Sequence, residues 1–145
     1  MRYARESLKM IKLVFGVVSL SFCLSAAAES ASIDDAGVAA VEFLALVDER
    51  EYGKSYSTAS SVLREEVSQE DWVDHVTNLR DALGALSKRT VTSSEFHESL
   101  PEAPPGEYVI FTYDSSFENN KFVSEVVAVV KGGDGIWRVV GYYLG

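Results

Sequence analysis

The 145-residue sequence has one cysteine, three prolines and two histidines, and its 13 lysines and arginines are outnumbered by 22 acidic residues. Each shortage removes a class of function. Cys23 lies in an apolar N-terminal run, so the rest of the chain offers no disulfide, no thiolate metal ligand and no cysteine nucleophile. His75 and His97 are far apart, and neither has a second histidine at the H-x-x-x-H spacing of a metal site, so no metal and no cofactor is expected. There is no G-x-S-x-G element and no phosphate-binding P-loop, and the many serines have no identifiable base to activate them. The acidic runs "SIDDAG" and "VDERE" are too short for a calcium loop and read as solvated helix surface. The prolines Pro101, Pro104 and Pro105 share one segment, which leaves the rest of the chain free to form regular elements.

The N-terminus carries an export pattern. Arg2, Arg5, Lys9 and Lys12 precede an apolar run from Leu13 to Leu24, broken only by Ser19 and Ser21, and Ala26, Ala27 and Ala28 follow it. A basic stretch, a short apolar stretch and small residues make a secretory signal peptide, here residues 1–28 with cleavage before Glu29. The run is shorter than the roughly 20 residues needed to span a bilayer. Phe22 before Cys23 is too large for a lipoprotein site. The expected remainder, 29–145, is a single domain that is periplasmic or secreted, with no stable membrane insertion after cleavage. It keeps 9 basic residues against 21 acidic ones, a formal net charge of −12. Such a surface repels phosphate backbones, so nucleic acid is not an expected partner.

Helical periodicity comes first in this domain. Val38, Val41, Leu44 and Val47, widened by Phe43, predict an amphipathic helix capped by Asp34 or Asp35 and ending near Glu49. "EYGKSYSTAS" reads as a short helix with Tyr52 and Tyr56 on one face. Ser68 is the next N-cap, followed by the stripe Trp72, Val76, Leu79 and Leu83 and by the stop signal Gly84. Beyond Gly84 the period changes to two. Four strands are predicted, at about 87–98, 107–117, 122–131 and 136–144, joined by "LPEAPPG", "ENN" and "GGDG". Short connections imply antiparallel neighbours. The fold class is therefore α+β, with N-terminal helices packed on a four-stranded antiparallel meander.

Several segments, "SYSTAS", "W…NLRDALGALSKRTV", "PPGEYVIFTYDSSFENN", "SEVVAVV" and "WRVVGYYL", resemble the exported bacterial family labelled domain of unknown function 4019. The likeness runs from about Val38 to Leu144, and Tyr56 stands where the family pattern has tryptophan. It implies an exported α+β domain. It implies no established activity, so no site residue is carried over. The order of elements is also similar to cone-shaped folds of the nuclear-transport-factor-two and cystatin-like kinds, a likeness of fold alone.

The residue that asks for an explanation is Glu125, alone among the valines of "KFVSEVVAVV". Closing the turns in sequence sets Tyr113 and Tyr142 opposite Glu125 and brings Arg89 alongside Tyr113. Arg89, Tyr113, Glu125 and Tyr142 then share the apolar, helix-facing side of the sheet, together with Val140. A carboxylate there needs a partner or a proton. Three readings follow: a buried Arg89–Glu125 pair that fixes strand register, a ligand pocket formed by the four residues, or an exposed Glu125. The opposite face carries Tyr108, Ile110, Val126, Val130, Trp137 and Val139, apolar enough to need cover or to form a homodimer or partner interface. The expected function is binding, to an envelope protein partner or a small apolar ligand. The alternative is a small enzyme with Glu125 as base and a tyrosine as oxyanion donor, although a carboxylate held by arginine makes a weak base. A helper domain without any pocket is the third reading.

Overall fold

A computed structural model describes the backbone from Arg2 onward and the side chains from Ser25 onward. The element order is α1 (Arg2–Asp48), α2 (Tyr52–Thr58), α3 (Ser61–Glu66), α4 (Gln69–Leu83), β1 (Leu86–His97), β2 (Tyr108–Phe117), β3 (Val123–Lys131) and β4 (Trp137–Leu144). Ile33–Gly145 forms a compact unit of its own, and all that follows concerns it. The side-chain pattern that predicts a signal peptide over 1–28 lies almost wholly outside the described side chains. Among the described residues, no helix is long and apolar enough to cross a membrane.

Local chemistry accounts for the helix ends. Ser68 caps α4 by accepting from the Asp71 amide at 3.2 Å, and its hydroxyl donates to the Asp71 carboxylate at 2.6 Å. Acidic Glu70 and Asp71 face the positive end of the helix dipole. Gly84 ends the helix at φ 76°, where its amide donates to the Arg80 carbonyl at 2.9 Å. A side chain at Gly84 would also meet the Glu118 Cβ at 2.9 Å, so glycine is required twice over. The short helix α3 is an addition to the predicted elements. Ser60 caps it by accepting from the Leu63 amide.

The buried face of α1 differs from the predicted stripe. Ala36, Ala40, Phe43, Leu44 and Val47 are buried, whereas Val38 and Val41 are 59% and 62% exposed. Counting the larger apolar residues rotates the stripe, because the helix approaches the sheet through its small alanines; a Cβ at Gly37, on the same stretch, would lie 3.7 Å from the Phe111 ring. On α4 the buried series is Trp72, Val76 and Arg80, spaced by four, with Leu79 and Leu83 only half-buried. The core joins these helices to Val109, Phe111, Val127 and Val129 of the sheet, and the Phe43 ring stands 5.9 Å from Trp72 and 5.8 Å from Tyr142.

The sheet is the predicted antiparallel meander in the order β1-β2-β3-β4. Two registers match the expectation, with Tyr113 opposite Glu125, and Arg89 and Val91 opposite Ser115 and Tyr113. The third differs: Glu125 faces Leu144, and Tyr142 faces Val127. The shift is even, so Tyr142 keeps the Glu125 side. A bulge then skips Val140, because Val139 pairs with Val129 and Gly141 with Ala128. One extra residue reverses the alternation beyond it. Trp137 and Val139 therefore point into the core and not to the outer face, and Val140 is displaced from the inner face where it was expected. The outer face loses those two residues. Its Tyr108 is buried beside the Pro-rich connection, and the Tyr108 hydroxyl donates to the Pro104 carbonyl at 2.6 Å.

Candidate functional site

Glu125 is fully buried, at 0% exposure, in the middle of β3. Strand alternation points it at the helices, and the facing strands supply donors. The Arg89 guanidinium of β1 donates through Nε to Oε2 at 2.5 Å and through Nη2 to Oε1 at 3.1 Å. Ser115 of β2 donates to Oε2 at 2.7 Å, and the Tyr142 hydroxyl of β4 donates to Oε1 at 2.7 Å. Both carboxylate oxygens thus accept two hydrogen bonds each, and all four strands meet at one side chain.

The helices add a second carboxylate and a second guanidinium. Asp48, the last residue of α1, accepts from Arg89 Nη1 at 2.7 Å, from Arg89 Nη2 at 3.0 Å and from Arg80 Nη2 at 2.9 Å. An acid at a helix C-terminus faces the negative end of the dipole, and the two arginines offset this. Arg80 stacks over the Phe117 ring at 4.7 Å, and its Nη1 lies 3.9 Å from Glu125 Oε1 without a hydrogen-bond partner. Two guanidinia and two carboxylates leave the cluster formally neutral.

The surrounding groups carry the imprint of this charge. Burial works against the charged Arg89, but hydrogen bonds and attraction from Asp48 and Glu125 outweigh it and hold the guanidinium more firmly protonated than usual. The Tyr142 phenol is pushed far above its ordinary range by burial first, then by the Glu125 charge and the hydrogen bond to it. The Tyr113 phenol is also raised, by burial, with Arg89 opposing and Glu125 adding to the shift.

Of the four residues singled out in the sequence, Arg89, Glu125 and Tyr142 join one hydrogen-bonded cluster. Tyr113 stands on the same face, with its ring 6.4 Å from Phe111, and does not hydrogen-bond the carboxylate. Asp48, Arg80 and Ser115 were missed. Ser115 is two residues from Tyr113, and so on its face. Arg80 continues the four-residue spacing of Trp72 and Val76. Both were legible as positions; their polarity argued against an interior role.

Several clefts lie around the cluster, among them one of about 650 Å³ with Ser115 in its wall; three more bear on function. A groove of about 510 Å³ runs between α1 and the β1 side of the sheet, with Val38, Val41, Val91, Phe111 and Tyr113 in its wall. A second cleft, also about 510 Å³, lies between α3, α4 and β4, and is lined by Trp72, His75, Tyr142 and Tyr143. A polar cleft of about 500 Å³ includes Asp48 and Arg80. None of the three has Glu125 or Arg89 in its wall. With every lone pair of the carboxylate engaged, the cluster is arranged to tie α1 and α4 to the four strands.

No curated protein and no solved structure matches the chain. The family model described as "Protein of unknown function (DUF4019)" matches residues 39–142, a span that holds every member of the Glu125 cluster, and the chain belongs to that family.

Proposed function

We propose that the chain is an exported binding domain whose ligand site is the groove between α1 and the β1 side of the sheet. The carrying observation is the pair Val38 and Val41, which turn outward at 59% and 62% exposure, with Val91 at 55% across from them. Isolated exposed valines need no explanation, but these share one concave wall with Phe111 and Tyr113. Apolar side chains converging on a groove suit an apolar ligand or an apolar segment of an envelope partner. The signal-peptide pattern of residues 1–28 supports export and action in the periplasm or outside the cell.

The acid/base alternative has less support. Glu125 would have to release several donors before it could take a proton, and it borders none of the three clefts. A homodimer through the outer sheet face also has less support than its sequence suggested, because Trp137 and Val139 belong to the core.

Native mass spectrometry on the full chain, expressed and recovered from the periplasm without denaturation, tests the reading together with titration of an apolar fluorescent probe. The expected result is a mass beginning at Glu29, probe binding by the wild type and loss of that binding in V38D/V41D. Both positions are exposed, so this variant should fold with a stability change within about 0.5 kcal/mol per site. Equal binding by the folded variant would refute the groove, and a chain confined to the cytoplasm with residues 1–28 retained would refute export.

A further inference from the structure

The two edges of the sheet are treated differently. On β4 the Val139 carbonyl accepts from the Ser60 amide at 2.8 Å, so the α2–α3 connection covers part of that edge. β1 is the longer edge strand, at 12 residues, and among the described residues no backbone hydrogen bond reaches it except from β2. It carries the strand-favouring run Thr90, Val91 and Thr92 and, further on, Phe96. A long open edge is a liability unless something guards or occupies it. Bulges between Leu86 and Lys88 and between Val91 and Ser93 twist it, yet leave Ser93–His97 in regular register. The open edge and the apolar groove are adjacent: Val91 and Ser94 of β1 form one wall of the groove.

Charge selects the occupant. The groove wall carries Asp34 and Glu42 and no basic side chain. Glu95 stands exposed on the regular part of β1, on the face away from the groove, and the exposed Lys88 lies at the bulged end of the strand. A second copy of the chain would bring the same acids against each other, on a domain with a formal charge of −12 once residues 1–28 are removed. A cationic partner meets no such repulsion, and attraction speeds its encounter. A small apolar molecule would fill the groove but leave the β1 amides and carbonyls unused.

We propose that β1 receives an extended, cationic segment of a partner polypeptide as a fifth strand, whose alternate apolar side chains enter the groove against Val38 and Val41. Main-chain hydrogen bonds to β1 supply affinity, and the groove and its acidic rim supply selection. This deepens the binding function proposed above and rests on it.

A display library of random peptides about ten residues long, selected against the periplasm-derived protein, tests the proposal; that length covers a typical strand. Enriched peptides are expected to alternate apolar and polar residues and to carry net positive charge. Binding should weaken on the order of tenfold or more in V38N/V41N, which removes apolar contact without adding charge, and should fall as salt rises. Amide exchange along β1 should slow on binding, and N-methylation of alternate peptide amides should abolish binding in one phase and spare it in the other. Peptides indifferent to V38N/V41N would overturn the groove itself. Peptides that need the groove but leave β1 exchange unchanged, or tolerate N-methylation in both phases, would overturn strand addition alone. Enrichment of neutral or acidic sequences, or no enrichment, would overturn the proposed partner. Concentration-dependent self-association through β1 would replace it with a second copy of the chain.

Discussion

Replacing Glu125 by glutamine keeps the shape of the side chain and removes its charge. One terminal atom still accepts; the other becomes an NH₂ group. If the NH₂ takes the Oε2 position it meets Arg89 Nε and Ser115 Oγ, and if it takes the Oε1 position it meets Arg89 Nη2 and Tyr142 Oη. Hydroxyls can rotate and accept, but a guanidinium N–H cannot. In either orientation one Arg89 N–H faces another donor. Asp48 is then the sole carboxylate against Arg80 and Arg89, and the buried cluster changes from neutral to a net positive charge. Breaking a buried pair in this way costs about 3–5 kcal/mol. In a domain of this size the loss corresponds to a Tm lower by roughly 10–20 °C. Urea unfolding followed by the fluorescence of the buried Trp72 and Trp137 measures it. The double variant E125M/R89M separates charge from packing, because it leaves Asp48 paired with Arg80 and fills the space with apolar atoms. It should be no less stable than E125Q alone, far from the sum of the two single losses. A cost below about 0.5 kcal/mol for E125Q, or strict additivity in the double variant, would refute the account of the cluster.

Further outcomes follow from the same geometry. Tyr142→Phe keeps the ring beside Phe43 and deletes one hydrogen bond to a charged acceptor, so chemical denaturation should show a loss of about 1.5–3 kcal/mol. The folded-state pKa of Tyr142 is raised above the unfolded value of 10.0, so its contribution to stability is complete below about pH 10 and is lost as the unfolded phenol ionises above it. Stability measured from pH 9 to 12, a window set by the ordinary tyrosine value of roughly 10, should fall less steeply in Tyr142→Phe than in the wild type; parallel curves would contradict the burial of this phenol. Gly84→Ala places a methyl group at positive φ against Glu118 and should cost about 1–3 kcal/mol, whereas an unchanged urea midpoint would show that the turn relaxes freely. Trp137→Ala should cost about 3–5 kcal/mol by emptying a core site, and a loss near zero would return Trp137 to the outer face and remove the bulge at Val140.

Much of the fold was legible because its signals are local. Ser68 and Gly84 bracket α4 through their own capping chemistry, "GGDG" closes a hairpin, and the change of period after Gly84 separates helices from strands. The short turn after β2 set Tyr113 against Glu125, since close strand ends leave little freedom of register. Where the reading failed, the deciding contact lay far away in the chain. A helix with valines on one side and alanines on another can bury either, and which face turns inward depends on how closely the sheet approaches; Val38 and Val41 were left outside for that reason. The bulge at Val140 is marked locally only by Gly141 inside the strand, a signal that went unread, so the facing of Trp137 and Val139 was reversed.

The cluster divides in the same way. That Glu125 sits on an apolar strand and needs a cation and hydroxyl donors follows from residue types and a period of two, and Arg89 and Tyr142 could be named on that basis. Asp48 could not, because nothing near it in sequence asks for a partner, and Arg80 was legible only as a position on the buried stripe of α4. They meet only when α1 ends and α4 passes over the open side of the sheet, where two arginines and two acids cancel one another's charge out of water. Local sequence determined the elements, their order and the need for charge compensation inside the sheet. The packing of helices on that sheet decided which charges supply it and which apolar side chains remain outside to form a groove, because burial is a property of the assembled layers.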